Sequence, residues 1–211
     1  MKIVKIPSVG YESNCWLLID EKSGKYAVVD PSPSLDTIQA AIEKFDLEKD
    51  NFEYILLTHG HFDHIYSVDD VRNAYGCKVC IHEDDADCLI DSYKNANRLF
   101  FGADLIMHPA DMLLKDNDEL LIGDEIIKVI ATPGHTPGCV CYEIGSCLIT
   151  GDTLFDMSIG RTDLPGGSQR TINESLKKLS ALDDEITIYP GHGGISTIGK
   201  QKRLNPYMKG L

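Results

Sequence analysis

Short apolar runs alternate with stretches of helical periodicity along this chain. The apolar runs predict strands at residues 3–6, 15–19, 26–29, 54–57, 78–81, 120–122, 125–130, 139–144, 147–150 and 187–189. Turn-forming residues separate most of these runs, and Gly145 with Ser146 predicts a tight hairpin. Hairpins that join neighbouring strands directly argue against a doubly wound parallel sheet.

Helical spacing occurs in three places between or after the strands. Apolar residues at positions 35, 38, 41, 42 and 45 predict a helix, and Ser34 is its expected N-cap. A second helix is predicted over 68–75, where Gly76 ends it, and a third over 172–182. The segment 83–102, acidic and then Asn-rich, is expected to be helical in part.

Both β-rich halves of the chain are accompanied by helices. This order predicts two sheets packed face to face with helices on the outside, an α/β fold in the form of a four-layer sandwich. No linker or internal repeat divides the sequence, so a single domain over 1–211 is expected.

The composition narrows the classes of partner and compartment. The 211 residues include 20 basic and 33 acidic side chains, a formal charge of −13 that disfavours nucleic acid and anionic membranes as partners. No apolar run approaches the ~20 residues that a membrane span needs, and the first ten residues are too polar for a signal peptide. Seven cysteines without framework spacing are typical of a reducing compartment, so the expected location is the cytoplasm.

A histidine-rich motif, H-G-H-F-D-H, follows directly on the predicted strand 54–57. It contains His59, His61, Asp63 and His64, and a His-rich polar loop without function is its alternative interpretation. Three further candidates, His135, Asp152 and His192, each follow a predicted strand and come directly after a glycine. Strand ends that meet at one sheet edge would bring these side chains together, and the glycines would permit the sharp turns.

These residue types together indicate a metal centre. Five imidazoles and two carboxylates suit Zn, Fe or Mn better than Ca or Mg. Seven donors exceed what one tetrahedral metal uses, so two divalent ions about 3.5 to 4 Å apart are expected. One carboxylate would bridge them, and a bridging hydroxide would be the nucleophile of a hydrolysis. By contrast, Cys77 and Cys80 should face opposite sides of a strand, and His82 and His108 have no partner pattern.

The ligand motifs, in this chain order, resemble those of the metallo-β-lactamase superfamily and of its glyoxalase II-like hydrolases in particular. The resemblance implies an αββα fold over essentially the whole chain. It also implies that one metal is held by His59, His61 and His135, a second by Asp63, His64 and His192, and that Asp152 bridges them. Common zinc β-lactamases have Cys at that bridging position, so Asp152 argues against antibiotic hydrolysis.

A second resemblance concerns the loop over 158–168, S-I-G-R-T-D-L-P-G-G-S. In glutathione-using relatives a basic residue here contacts a substrate carboxylate, which implies that role for Arg161; a structural pair with Asp163 is the alternative. The 19 residues that follow His192 in this sequence are too few for the helical domain appended to glyoxalase II, so the resemblance leaves the thiol carrier open. The C-terminal tail is basic. It would either contact an anionic thioester or form a solvent-exposed helix end, and its basic residues are Lys200, Lys202, Arg203 and Lys209.

The function expected from these residues is hydrolysis of a small anionic thioester such as S-lactoylglutathione. Asp63 and Asp152 are the expected catalytic carboxylates, and Asp63 would orient the attacking hydroxide. Persulfide dioxygenases with one Fe(II) resemble the chain in the ligand motifs and in Gly160 to Asp163, and they are the first alternative. A phosphodiesterase of the same superfamily and a non-catalytic metal-binding protein are the others. The sequence leaves the oligomeric state open.

Overall fold

The computed structural model describes residues 1–10 and 13–211 and contains two six-stranded sheets. The first sheet has the order β1-β2-β3-β4-β5-β6, with bounds Lys2–Ile6, Cys15–Ile19, Tyr26–Val29, Phe52–Leu56, Lys78–His82 and Met112–Leu114. Strands β1 to β3 pair antiparallel, whereas β3 to β6 pair parallel.

The second sheet has the order β14-β13-β10-β9-β8-β7. In chain order its strands are β7 (Glu119–Ile122), β8 (Glu125–Ala131), β9 (Val140–Ile144), β10 (Cys147–Gly151), β13 (Thr187–Pro190) and β14 (Ser196–Thr197). Strands β7 to β10 form an antiparallel meander, and β13 is parallel to β10. A small ribbon of β11 (Leu154–Phe155) and β12 (Ser158–Ile159) follows β10.

Helices cover the outer faces of both sheets. They are α1 (Leu35–Lys44), α2 (Phe62–Ile65), α3 (Val68–Tyr75), α4 (Asn97–Phe101), α5 (Gln169–Ser180) and α6 (Ile198–Leu204), with 3-10 helices at Lys49–Asn51 and Glu83–Leu89. In the described part of the chain, no helix combines the length and apolar character that crossing a membrane would require.

The four-layer αββα sandwich is confirmed by where alternate strand residues pack. On β2, Trp16 and Leu18 lie in the cluster between the two sheets, while Leu17 faces the helix layer that contains Ile38. On the other sheet, the outward-facing Leu148 packs against α5 and α6 in a third cluster. Each sheet is therefore apolar on both faces, because each lies between a second sheet and a layer of helices.

Most predicted elements are present within one or two residues of their expected bounds, and the local signals behave as expected. Ser34 accepts a hydrogen bond from the amide of Thr37 at the start of α1, and Gly76 ends α3 in the left-handed conformation. Gly145 and Ser146 form the two-residue hairpin between β9 and β10. The prediction of opposite faces for Cys77 and Cys80 is also confirmed, since each lies in a different core cluster.

Several short elements did not follow from the pattern. Strand β6 has three residues, of which only Leu114 is buried, and β11, β12 and β14 have two residues each. Such strands are too short to show a period; β6 pairs with β5 across an intervening helical segment, whereas β11 and β12 pair with each other.

Candidate metal centre

Four loops bring the seven predicted donors together at one end of the sandwich. Strands β8, β10 and β13 run in the same direction, so the loops after them place His135, Asp152 and His192 at one edge of the second sheet. The H-G-H-F-D-H segment instead follows β4, in the first sheet. The expectation of a single sheet edge was therefore wrong, because the donors come from both sheets.

The donor atoms fall into three overlapping groups, each with all its atoms within 4.8 Å of one another. These are His59, His61 and His135; His59, His64 and Asp152; and Asp63, His64 and His192. Asp152 lies between the first and last sets, with oxygens 3.3 Å from His64 Nε2 and 3.5 Å from Nε2 of both His135 and His192. This placement fits a bridging carboxylate.

The polar atoms inside the cluster fit a bound cation. Among the described residues, the buried Nε2 atoms of His59, His61 and His64 and the Oδ1 of Asp152 have no hydrogen-bond partner. Leaving such atoms unpaired costs about 1–3 kcal/mol each, so native proteins pair them. Nitrogen and carboxylate donors at this density suit divalent Zn, Fe or Mn, and the residues present therefore fit a metal.

The end of the cluster at His59 and His61 differs in charge state from the end near Asp63 and His64. Burial, followed by repulsion from neighbouring imidazoles, lowers the pKa of His59 and lowers the pKa of His61 to about 3. Both rings are thus neutral near pH 7, the form that ligates a metal. His61 Nδ1 lies only 2.8 Å from Nε2 of His135.

The other end is dominated by carboxylates. Burial by itself lowers the pKa of His64, but three surrounding carboxylates, that of Asp152 above all, raise it well above its usual range. Burial has the largest effect on Asp152 and Asp63 and opposes their ionisation. Adjacent imidazoles nevertheless lower the pKa of each, and His64 has the largest effect among these imidazoles. The pKa of His192 is raised because Asp63 and Asp152 outweigh its burial. Both carboxylates are ionised at neutral pH, as metal binding requires.

A buried carboxylate outside the predicted set orients two of the histidines. His64 Nδ1 lies 2.8 Å from Asp30 Oδ2, and the amide and hydroxyl of Thr58 donate to the two oxygens of Asp30 at 2.8 and 2.7 Å. The same hydroxyl lies 3.2 Å from His59 Nδ1. Asp30 was not among the residues predicted from the sequence. The sequence feature that could have indicated it is its position at the end of the buried strand β3, directly before a proline.

A second missed carboxylate is that of Asp85, in the 3-10 helix after β5. It is fully buried and accepts hydrogen bonds from the amides of Gly60 and Gly138 and from the hydroxyl of Thr136. Burial is the largest influence on Asp85 and raises its pKa, against the lowering effect of these three bonds. No sequence signal distinguished it, because it is one of four acidic residues in the segment E-D-D-A-D.

The glycines that precede three of the donors have two different roles. Gly134 and Gly151 have positive φ angles of 143° and 46°, as the sharp turns require. Gly191 has no such angle, but a Cβ there would lie 2.2 Å from Asp152 Oδ1. At Gly191 it is close approach that demands glycine.

A cavity of about 500 Å³ opens over the donor cluster. Its apolar wall consists of Phe62, Phe100, Phe155, Ile159 and Leu164, and Arg161 lies beside them. Arg161 donates to both carboxylate oxygens of Asp163 at 2.6 and 2.7 Å, so the alternative of a loop-stabilising pair is realised. The backbone oxygen of Arg161 also lies 2.7 Å from His135 Nδ1 and orients that ring.

The basic tail is engaged in structural contacts. Lys200 pairs with Asp156 at 2.8 Å, and Lys202 pairs with Asp184 at 2.6 Å. Both lysines lie on α6, which supports the interpretation as a helix end. His82 and His108 lie outside the three donor groups; His82 accepts from the amide of Asp84, and His108 pairs with Asp69.

Comparison with known proteins gives a family and several relatives. The model of the metallo-beta-lactamase superfamily matches residues 9–192. Hydroxyacylglutathione hydrolase GloC of Haemophilus influenzae is 32% identical over 212 residues, which cover 99% of this chain and 98% of that protein.

Two solved structures extend the likeness to the fold. The B3 metallo-beta-lactamase BLEG-1 has a TM-score of 0.92 and 33% identity, covering 99% of this chain and 100% of that one. The di-iron-bound form of TTHA1623 has a TM-score of 0.84 and 29% identity, covering 98% and 100% of the two chains. With its fold, its donor cluster and a family match over most of its length, this chain belongs to the metallo-beta-lactamase superfamily.

Proposed function

We propose that this protein is a metal-dependent hydrolase that cleaves a small anionic thioester, such as S-lactoylglutathione. The observation that carries the proposal is the placement of seven nitrogen and carboxylate donors beneath a cavity with an apolar wall and a guanidinium. The likeness to a relative named hydroxyacylglutathione hydrolase supports the choice of substrate. The cytoplasm is the proposed location, supported by the burial of six of the seven free cysteines.

The reaction adds water to the thioester carbonyl carbon and breaks the carbon–sulfur bond, giving a carboxylic acid and a thiol. Two divalent ions, of Zn, Fe or Mn, held by His59, His61 and His135 and by Asp63, His64 and His192 would supply Lewis-acid activation of the water and the carbonyl. The leaving thiol has a pKa of ~8.5, so its departure needs no dedicated general acid.

Asp63 and Asp152 are the carboxylates that can direct the water. Asp63 is partly exposed to the cavity, and its Oδ2 lies 3.2 Å from His192 Nε2. Its ionised state makes it an acceptor for a proton of the attacking water. Asp152 lies deeper, where its oxygens hold the two sets of donors together.

Arg161 is the candidate contact for a substrate carboxylate. Its guanidinium is paired with Asp163, but both side chains are more than half exposed, at 52% and 66%. An exposed pair of this kind contributes only ~0–1 kcal/mol, so a substrate carboxylate can replace Asp163 on the same guanidinium.

The experiment that tests the function is thiol release from S-lactoylglutathione. The protein is stripped of metal and reloaded separately with Zn²⁺, Mn²⁺ and Fe²⁺, and His59→Gln is compared with His108→Gln, which alters an exposed histidine outside the cluster. We expect release that rises with two equivalents of metal and is lost only in His59→Gln. No release with any metal contradicts the proposal.

Two further substrates belong in the same assay. A β-lactam is tested because the chain is similar to BLEG-1, whose name describes a B3 metallo-beta-lactamase. The sequence from Gly160 to Asp163 resembles that of persulfide dioxygenases, and Arg161 lines the cavity, so glutathione persulfide is tested with the Fe²⁺ form. Oxygen uptake or β-lactam cleavage without thiol release from the thioester would contradict the proposed thioesterase and indicate a dioxygenase or a β-lactamase instead.

A further inference from the structure

Asp85 connects the loops that supply one half of the donor cluster. Its Oδ2 accepts from the Gly60 amide at 3.0 Å and from the Thr136 hydroxyl at 2.6 Å, while its Oδ1 accepts from the Gly138 amide at 2.7 Å. Gly60 lies between His59 and His61, and Thr136 directly follows His135. One buried carboxylate thus fixes both loops that carry the first donor set.

The half of the cluster formed by Asp63, His64 and His192 depends on a different carboxylate. Asp30 contacts His64 directly and reaches the first set through Thr58, beside His59. Among the residues that the structure describes, no hydrogen bond joins Asp85 to Asp63, His64 or His192. The two buried carboxylates therefore support the two halves of the centre unequally.

We propose that Asp85 is a positioning residue that sets the metal affinity of the half formed by His59, His61 and His135, with little effect on the half formed by Asp63, His64 and His192. This inference rests on the dinuclear site of the proposed function, but not on its substrate.

Replacing Asp85 by Asn tests the idea with almost no change of shape. An amide presents an N–H₂ group where one carboxylate oxygen had been, so it faces a backbone N–H with a second donor. At least one of the two loops loses its acceptor and shifts. Loss of an outer hydrogen bond to metal ligands typically weakens metal binding about 10- to 100-fold.

The experiment is Zn²⁺ titration of the metal-free protein by calorimetry, with metal content measured after gel filtration. We expect Asp85→Asn to keep one tight site and to weaken the other by about 10- to 100-fold. The matched control is Asp84→Asn, an exposed neighbour on the same 3-10 helix, which should bind as the unmodified protein does.

Double variants identify which half is affected. Added to His135→Gln, which already disables the first set, Asp85→Asn should cause little further loss; added to His192→Gln, it should cause its full loss. A purely structural role would lower binding equally in both backgrounds, and that result overturns the proposal, as does an unchanged titration. If Asp85→Asn does not fold, Thr136→Val removes one of the three bonds and takes its place. An unmodified protein that binds two Zn²⁺ but hydrolyses no thioester defeats the proposed function alone.

Discussion

At the residue scale, seven donors of only two chemical types take different charge states because of where they lie. His59 and His61 are deeply buried beside other imidazoles, so they are neutral, whereas His64 lies among carboxylates that favour its protonated form. A metal that binds at His64 must therefore displace a proton, and binding at that end should weaken as the pH falls.

Asp63 provides the sharpest prediction at this scale. Asp63→Asn should lower kcat for thioester hydrolysis by about 100-fold or more, because the amide cannot accept the proton that the carboxylate accepts. The free energy of unfolding of the metal-free protein should change by about 1 kcal/mol or less, since the side chain is partly exposed and its shape is kept.

Steady-state kinetics of the metal-loaded protein and urea unfolding of the metal-free protein check this prediction. Asp70→Asn, an exposed change on α3, is the control and should leave both quantities unchanged. Parallel losses of activity and stability in Asp63→Asn would show a structural role instead.

At the element scale, turns, strand ends and the short helix α2 place the donors, and the longer helices cover the sheets. The segments after β4, β8, β10 and β13 carry the donors, with Asp63 and His64 on α2, and each segment follows a strand held by pairing on both sides. Rigid strands limit how far the loops can move, which favours a preformed site.

The loop after β13 can be tested at Gly191. In Gly191→Ala the new Cβ would lie 2.2 Å from Asp152 Oδ1 and 2.8 Å from His64 Cε1, so these donors must shift. We expect weaker Zn²⁺ binding and a loss of about 1–3 kcal/mol in the free energy of unfolding. Gly194→Ala is the control, because within the described part of the chain no atom beyond its two chain neighbours lies within 4 Å of its added Cβ. Equal behaviour of the two variants in a metal titration would contradict the close approach.

The turn after β2 gives a pH dependence. Hydrogen bonds from Ser23 and from the amides of Lys22 and Asp124 lower the pKa of Asp20 to about 2. Because the folded pKa is lower than the unfolded value of 3.8, the stabilisation is complete above pH 3.8 and is lost as the pH falls towards 2. Urea midpoints at pH 5 and pH 2.5 should therefore differ more in the unmodified protein than in Asp20→Asn. Asp36→Asn, an exposed change on α1, is the control and should behave as the unmodified protein. If Asp20→Asn leaves the difference between the two urea midpoints unchanged, Asp20 is not the source of the pH dependence.

At the scale of the whole molecule, the metal centre joins the two sheets. Donors from the loop after β4 and donors from the second sheet meet in one cluster, and Tyr142 and Trp16 add hydrogen bonds to Leu57 and Pro190 across the sandwich. Metal binding should consequently stabilise the packing of one half against the other.

Removal of metal by a chelator should lower the midpoint of thermal unfolding of the entire chain. A ligand present at 100 times its Kd contributes ~2.7 kcal/mol by mass action, and readdition of Zn²⁺ should restore the midpoint. Differential scanning calorimetry makes this measurement. His59→Gln is the reference that should respond less, and an unmodified midpoint indifferent to metal would rule out a shared centre.

Much of this molecule could be anticipated because its signals are local. Continuous apolar runs indicate strands that are covered on both faces, and all five residues of β2 and four of the five residues of β9 are buried. The motif H-G-H-F-D-H needs only its own spacing to indicate a metal site. By contrast, the two-residue strands are too short to show a period, and the 3-10 helix at Glu83–Leu89 is held by distant partners such as Gly138, so their sequences carried little information.

The sequence by itself determined the layered architecture and the chemical types of the seven donors, because periodicity and motif spacing are properties of neighbouring residues. Only the tertiary structure decided that the donors come from both sheets, and that Asp30 and Asp85 support them. It also decided that Arg161 is paired with Asp163 beside the cavity. The physical reason is clearest for Asp30 and Asp85: a buried carboxylate acquires its role from partners that folding brings within hydrogen-bond distance, and an acidic sequence offers many equivalent candidates.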